Sequence, residues 1–546
     1  MLVLSRFKMK RLRVIYETIA AIILLITSST ATAQQPELVI NIVVGSMRAD
    51  DIDRYGDNLF YGGFRRLIEG GINYTAAYYD YAHTSTAAGL ATFASGAQPA
   101  VHGVIGEKWW NYIDSSMVEL IADHKTHPVE FSTGTGNYSA HRLAAPTVGD
   151  ILLRDCNSSK QYTIAIDALS AITLNGKAGI PLWTEKNQTD WTTSSAFAEQ
   201  LPTWIKSYNA EERNHDYMFK RWAPLHKSTL YRNAEVAIME GISGKGTKLI
   251  SNVDLTLSNT EFGRICYTPA GNTVLLQFAS TLIAQENLDK NSATDILNIS
   301  LDTARYIAEA YGVESMEYED MIYRLDKDLA TFLSYVYSLV DNPAKIIVVL
   351  SAAHGTSPAY NPIDCEPTER FNTRQMEVIV NAFLGARYGS ENYILGFANN
   401  SIYLNHQLIL SKRLSLEVIR EEVATFLLQL RGVRTALSAT ALRNTSFSEG
   451  RSRLLQQSFY ATRSGDVIID FMPGWIIEDD TKRSSSNGGY NYDRHVPLII
   501  YGGGVKPSVV DRVVSITEVA PTICKLIGIS APWASSAQPL REIKYR

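Results

Sequence analysis

Residues 82–103 read AHTSTAAGLATFASGAQPAVHG. This polar loop hands a hydroxyl residue, Thr86, to the first turn of a helix built from small side chains. Backbone N–H groups and the positive end of that helix then face whatever lies above Thr86, which suits an anion. Upstream, Leu38–Val44 (LVINIVV) is an unbroken β-branched run, the pattern of a parallel strand buried on both faces. Between the two lie an amphipathic helix over 62–70 and an extended segment over 72–79. Downstream, a helix over 146–153 with Pro146 in its first turn precedes another buried strand over 162–167. Strand and helix alternate, so the spacing predicts a doubly wound α/β sheet.

Farther out the texture changes. From about 173 to 267 the residues Trp183, Trp191, Trp204 and Trp222 are scattered among Tyr, Asn and Thr without a clean period. That stretch reads as an inserted subdomain with a wet, aromatic surface; its Trp residues are most simply packing groups, and it is also the best candidate for a partner surface. An apolar helix over 273–284, a strand over 295–300, a long amphipathic helix over 321–340 and a strong strand over 345–351 then restore the core pattern. Further strands are expected over 375–384, 401–404, 467–471 and 496–501, with a surface helix over 414–430 and a loop over 478–490. The resulting division is a leader over 1–33, core over 34–172, inserted cap over 173–272 and core again over 273–546.

The 546 residues, 45% hydrophobic, suffice for a large core. The leader carries Arg6, Lys8, Lys10, Arg11 and Arg13, then a short apolar run and Ala31-Thr32-Ala33, the layout of a cleaved secretory signal. Its apolar run falls short of the roughly 20 residues that span a bilayer, so no membrane span is expected after cleavage. Losing five basic and one acidic residue takes the net charge from −5 to −9. That balance leaves no basic stripe and argues against a nucleic-acid partner. The cysteines Cys156, Cys266, Cys365 and Cys524 are far apart, and disulfides or buried free thiols fit them equally.

Several segments in order carry a resemblance: GGFRRL (62–67), SGAQPAVHGVIG (95–106), YTPAGNT (267–273), SAAHG (351–355), YNYDRHVPLIIYGGG (490–504) and ITEVAPTICKLIGI (516–529). In this order and spacing the chain resembles the alkaline phosphatase superfamily, in its PafA-type, type I phosphodiesterase–nucleotide pyrophosphatase-like branch. The resemblance implies a three-layer α/β/α core with a mostly parallel sheet, and two zinc ions beside a Ser or Thr nucleophile. Two metals about 4 Å apart stabilise the attacking and leaving oxygens of phosphoryl transfer, and their four positive charges require a nest of carboxylates and imidazoles.

Carried over position by position, that nest is mostly replaced. The nucleophile position holds Thr86. The Asp expected after the first strand falls at Gly45, an Asp and His one helical turn apart fall at Arg305 and Glu309, and the last His falls at Ser486. The Asp-His pair after the strand near 350 becomes Ala353 and His354, so His354 alone of the six ligand positions keeps its family residue. The replacements carry no net charge, and a guanidinium stands among them. The phosphate contacts change likewise: Glu107 stands for an Asn, and Asp167 and Leu169 for a Lys and an Arg. No metal cofactor is therefore expected, and Arg305 and Glu309, spaced i,i+4, are expected to pair.

Other residues have plainer readings. Thr86 is read as vestigial, a helix N-cap hydroxyl, and His354 as a buried, hydrogen-bonded core histidine. His83 and His102 flank the Thr86 loop, with a new metal site beside Glu107 or Glu309 as their less favoured reading. Asp50 and Asp51 are a helix N-terminal charge cluster. Arg305 alternatively contacts an anionic substrate above Thr86. The expectation is a secreted, periplasmic or envelope-associated pseudophosphatase that binds or scaffolds an unidentified envelope protein. The alternative is a phosphoric or sulfuric ester hydrolase using Thr86 with a relocated or single metal.

Overall fold

The computed structural model describes residues 35–130, 136–184, 190–217, 222–233, 265–288, 290, 293–359, 369–477 and 482–543. The expected leader, Cys365 and all of 234–264 lie outside the described residues. Strands β1 (Leu38–Val44), β2 (Ile72–Tyr78), β3 (Gln161–Ile164), β4 (Ile180–Thr184), β5 (Asp295–Leu301) and β6 (Ile346–Ala352) enter one sheet. Its spatial order runs from Ser508–Val510 through β2, His495–Gly502, β6, β1, β5, β3 and β4 to Trp191–Thr192. β1 pairs parallel with β5 and β6, and β3 parallel with β5 and β4. The strand His495–Gly502 is antiparallel to both its neighbours, which makes the sheet mixed. Every residue of β1, β5 and β6 is buried, as a strand covered by helices on both faces requires. The α/β/α expectation from sequence therefore holds.

The register places the site. Val44 lies opposite Leu301 and Ala352, so β1, β5 and β6 end level. The residues that follow them, Gly45, Asp302 and Ala353-His354, emerge together at the carboxyl edge of the sheet, the usual place for a ligand in such folds.

A second sheet of four antiparallel strands, Ile394–Ala398, Ser401–Leu404, Val467–Phe471 and Val433–Ser438 in spatial order, has its own apolar core. The segment expected as a strand over 375–384 is instead part of a helix, Thr373–Tyr388. Met376, Val380 and Leu384 recur every four residues and are buried, and the Asn372 side chain caps the first turn through Gln375 N. Other boundaries also move. Pro146 precedes the helix Val148–Asp155, whose cap is Thr147.

The expected insertion over 173–272 is not uniformly set apart. It contains the end of the helix Ala168–Asn175 and all of β4, which belongs to the main sheet. Three of its four Trp residues are packing groups, as their plainer reading holds, while Trp204 is half-buried and Tyr267 exposed. Trp183, Trp191 and Trp222 are buried, Trp191 stacks on Phe278 with centroids 3.8 Å apart, and Trp222 Nε1 donates to Asp320 at 2.7 Å. Cys156, Cys266 and Cys524 are free thiols. No helix among the described residues is long and apolar enough to cross a membrane.

Candidate active site

Helix α1 (Thr86–Ser95) starts where the sequence places it, but Ser85 is the cap: its Oγ accepts from Ala88 N at 3.3 Å. Thr86 occupies the first helical position, so its hydroxyl is not consumed by the helix end, contrary to the N-cap reading. All ten residues of α1 are buried, which explains their small size. At Gly89 the helix meets the turn after β6 so closely that a Cβ would lie 1.8 Å from the Ala353 carbonyl oxygen. Tyr79 Oη clasps the same junction by donating to the Ala352 carbonyl at 2.7 Å.

That contact brings His354 to Thr86. His354 Nε2 lies 3.0 Å from Thr86 Oγ1, and its Nδ1 lies 2.5 Å from the Gly355 carbonyl oxygen. A carbonyl only accepts, so Nδ1 carries the ring proton and the Nε2 of the neutral ring accepts from the Thr86 hydroxyl. Burial pushes the His354 pKa down to about 4. The carbonyl that orients the ring is itself fixed: Gly355 N donates to Asp493 O at 2.7 Å, and a Cβ at Gly355 would lie 2.0 Å from Tyr492 O. His354 is thus a buried, hydrogen-bonded histidine, as its plainer reading holds, with Thr86 as partner.

Beside this pair lies a charge cluster on α2 (Ala168–Asn175) and α3 (Thr303–Tyr311). Arg305 Nη2 is 3.4 Å from Asp167 Oδ2, and Nη1 is 4.0 Å from Glu309 Oε1. The guanidinium also covers the Tyr306 ring at 4.2 Å, while its Nε has no hydrogen-bond partner among the described residues. Glu309 is also paired with Lys482 at 3.1 Å. Asp167 caps α2 through Ser170 N at 2.8 Å. Asp302, fully buried, accepts from Ser170 Oγ at 3.0 Å and Ser300 Oγ at 3.1 Å. Burial and then the neighbouring Asp167 charge push its carboxyl upward, against the pull of Arg305. Sequence reasoning anticipated Arg305 and Glu309 but missed Asp302 and Lys482, and gave Asp167 only a lost phosphate contact. The LDT start after β5 was the available signal for Asp302.

The other singled-out residues are placed as follows. A Cβ at Gly45 would meet Asp302 Cα at 3.0 Å and Arg305 Cβ at 3.2 Å, so this position has no room for a longer side chain as packed. Ala353 is buried, Ser486 half-buried and Glu107 exposed. His102 Nε2 contacts Thr92 Oγ1 at 3.0 Å and its Nδ1 accepts from Val104 N, while His83 is buried beside Leu455 and Phe459. Burial holds their pKa values down, to about 3 and about 4. Asp51 is buried rather than part of a surface cluster, accepting from Arg48 N and Tyr318 Oη at 2.8 Å each. Among the described residues no group of three or more His, Cys, Asp or Glu is placed to hold a metal ion.

Comparisons with known proteins agree with the fold. The family described as type I phosphodiesterase / nucleotide pyrophosphatase matches residues 39–494. The chain is 28% identical over 523 residues to alkaline phosphatase PafA of Elizabethkingia meningoseptica, covering 94% of this chain and 95% of that protein. It is 26% identical over 520 residues to alkaline phosphatase PhoV of Synechococcus elongatus, covering 94% of each. The crystal structure of wild-type PafA superposes with a TM-score of 0.84 at 26% identity, over 93% of this chain and 99% of that one.

Proposed function

The chain belongs to the type I phosphodiesterase / nucleotide pyrophosphatase family, in its PafA-like alkaline phosphatase branch, and from that premise we propose that it has lost dizinc phosphoryl transfer and serves as a binding or scaffolding component of the cell envelope. The observation that carries the reading is Arg305, a guanidinium set between Asp167 and Glu309 where the family's pattern has a metal ligand. Zinc would have to displace a cation already engaged with the nearest carboxylates. The donor set does not fit two zinc ions. His354 Nε2 is committed to Thr86, Gly45 offers no ligand, and Glu309 is shared with Lys482. A dianionic phosphoryl group would meet Asp167 and Glu309 without a metal between them. The envelope assignment rests on the leader-like residues 1–33.

The competing reading, ester hydrolysis with a relocated or single metal, needs a ligand cluster that the described residues do not form. One experiment separates the two. The purified protein is saturated with zinc, dialysed, and assayed for metal content and for p-nitrophenyl phosphate hydrolysis. The expected result is no retained zinc and turnover no higher than that of Thr86→Ala. About two zinc ions per chain, or zinc-dependent turnover lost in Thr86→Ala, overturns the proposal.

A further inference from the structure

The loss of metal ligands leaves one reactive arrangement in place. We propose that Thr86 and His354 form a metal-independent nucleophile–base pair that accepts an acyl group from an uncharged carboxylic ester. Three observations assemble it. Thr86 Oγ1 donates to His354 Nε2 at 3.0 Å, and the Gly355 carbonyl, 2.5 Å from Nδ1, fixes the ring in the tautomer that accepts that proton. The nucleophile sits at the first position of α1, where the opening N–H groups have no intrahelical carbonyl partner and would serve as the oxyanion donors. The contact is held rigidly, because Gly89 lets α1 seat directly on Ala353 and Tyr79 bridges to the Ala352 carbonyl.

The surrounding charges choose the substrate. A phosphomonoester brings two negative charges to a site flanked by Asp167 and Glu309. An ester carbonyl arrives neutral and develops a single charge, for which the first-turn amides of α1 are the nearest donors. In the first step the Thr86 Oγ–carbon bond forms, its proton passes to His354 Nε2, and the carbon–oxygen bond to the leaving group breaks as Nε2 returns that proton, so an alcohol or phenol departs and the ring is neutral again. In the second, water attacks the acyl-threonine while His354 Nε2 takes the water proton, then hands it to Thr86 Oγ1 as the Oγ–carbon bond breaks. The carboxylate is released and the Thr86 hydroxyl restored, so no oxidant, reductant or metal enters the balance. Thr86 and His354 are 3% and 2% exposed, so the acyl donors chosen for the test are small.

The inference goes beyond the loss of dizinc chemistry and is tested separately from it. The purified protein is treated with p-nitrophenyl acetate and with an alkyl fluorophosphonate, in chelator and in added zinc, followed by intact-mass and peptide mapping. The expected result is a single adduct on Thr86 that forms equally in chelator and zinc. It is absent in Thr86→Ala, retained or faster in Thr86→Ser, and at least about 100-fold slower in His354→Gln. Thermal unfolding of each variant separates loss of chemistry from loss of fold, and Thr86→Ser keeps the test decisive if Thr86→Ala unfolds. No adduct on either the native protein or Thr86→Ser, or labelling unchanged in Thr86→Ala, overturns the pair while leaving the loss of zinc chemistry standing. Labelling that requires zinc overturns both.

Discussion

Arg305 holds apart three carboxylates that would otherwise repel one another: Asp167, Glu309 and the buried Asp302. Replacing it by Gln keeps most of its volume and removes the charge. The pair is partly solvated, with the Arg305 side chain 14% exposed, so the cost falls below that of a fully buried ion pair, at about 2–3 kcal/mol. The deficit depends on pH with a definite sign. Burial already raises the Asp302 carboxyl above its ordinary value and Arg305 opposes that rise, so the Gln variant raises it further. A carboxyl with a raised folded-state pKa loses stability as pH rises through that value. Urea unfolding of Arg305→Gln is therefore expected to show a larger deficit at pH 8 than at pH 5, and an equal deficit at both would refute the account. The i,i+4 spacing made the Arg305–Glu309 pair readable in sequence. The Asp167 contact spans 138 residues and the Thr86–His354 contact 268, distances at which residue identity says nothing about proximity. The cap was misread for a local reason, since Ser85 and Thr86 are both good caps and only backbone geometry chooses between them.

Helix α1 is positioned by one missing side chain. Gly89 brings its backbone against the turn that carries His354, and a methyl group there would lie 1.8 Å from Ala353 O, with no rotamer to absorb the clash. Gly89→Ala is expected to destabilise by at least about 1–3 kcal/mol, the range for overpacking. It should also lift Thr86 away from His354, lowering the rate of acylation more than the melting temperature would suggest. A variant that melts normally and labels at the native rate would mean that the helix seats elsewhere. At this scale the long, strongly periodic elements were readable: β1, β6 and the helix Met316–Ser338 fall within a few residues of expectation. The helix Thr373–Tyr388 was not, because its core half QMEVIVNAFL is rich in β-branched and aromatic residues that a short window cannot tell from a strand. The aromatics after residue 173 lacked a period because they pack on several different elements. Trp191 packs on Phe278, for example, while Trp222 bonds Asp320.

The smaller sheet carries its own core, and Asp466 fastens it to the hairpin and helix beside it. The carboxyl, 2% exposed, accepts from Arg420 Nε at 2.8 Å and Nη2 at 2.6 Å, from Leu404 N at 2.8 Å and from Tyr112 Oη at 2.5 Å, with His406 Nε2 at 2.9 Å. Tyr112 belongs to the turn of the hairpin Lys108–Asn111/Ser116–Glu119, so the network joins that hairpin to the small sheet and the helix Leu416–Leu427. Arg463 makes a parallel link by donating to the carbonyls of Gly103 at 2.6 Å and Arg142 at 2.7 Å, the first at the end of the short helix Pro99–His102 that follows α1. None of this was legible in the sequence, where Asp466 is one acid in an ordinary loop and its partners lie 46 to 354 residues away. Burial pushes the Asp466 carboxyl up, but the hydrogen bond and charge of His406 and the charge of Arg420 outweigh it and hold the pKa below its ordinary value. A depressed carboxyl adds stability above its unfolded pKa and loses it as pH falls through the folded value. Asp466→Asn retains the shape but leaves the Arg420 charge unpaired, at a cost of about 3–5 kcal/mol near neutrality. In denaturant unfolding the gap between the two proteins is expected to be full at pH 7 and to narrow below about pH 4, the ordinary carboxylate range. A gap that stays constant into acid would show that Asp466 acts through shape alone, and that the small sheet is joined to the hairpin and helix by packing rather than by this charge.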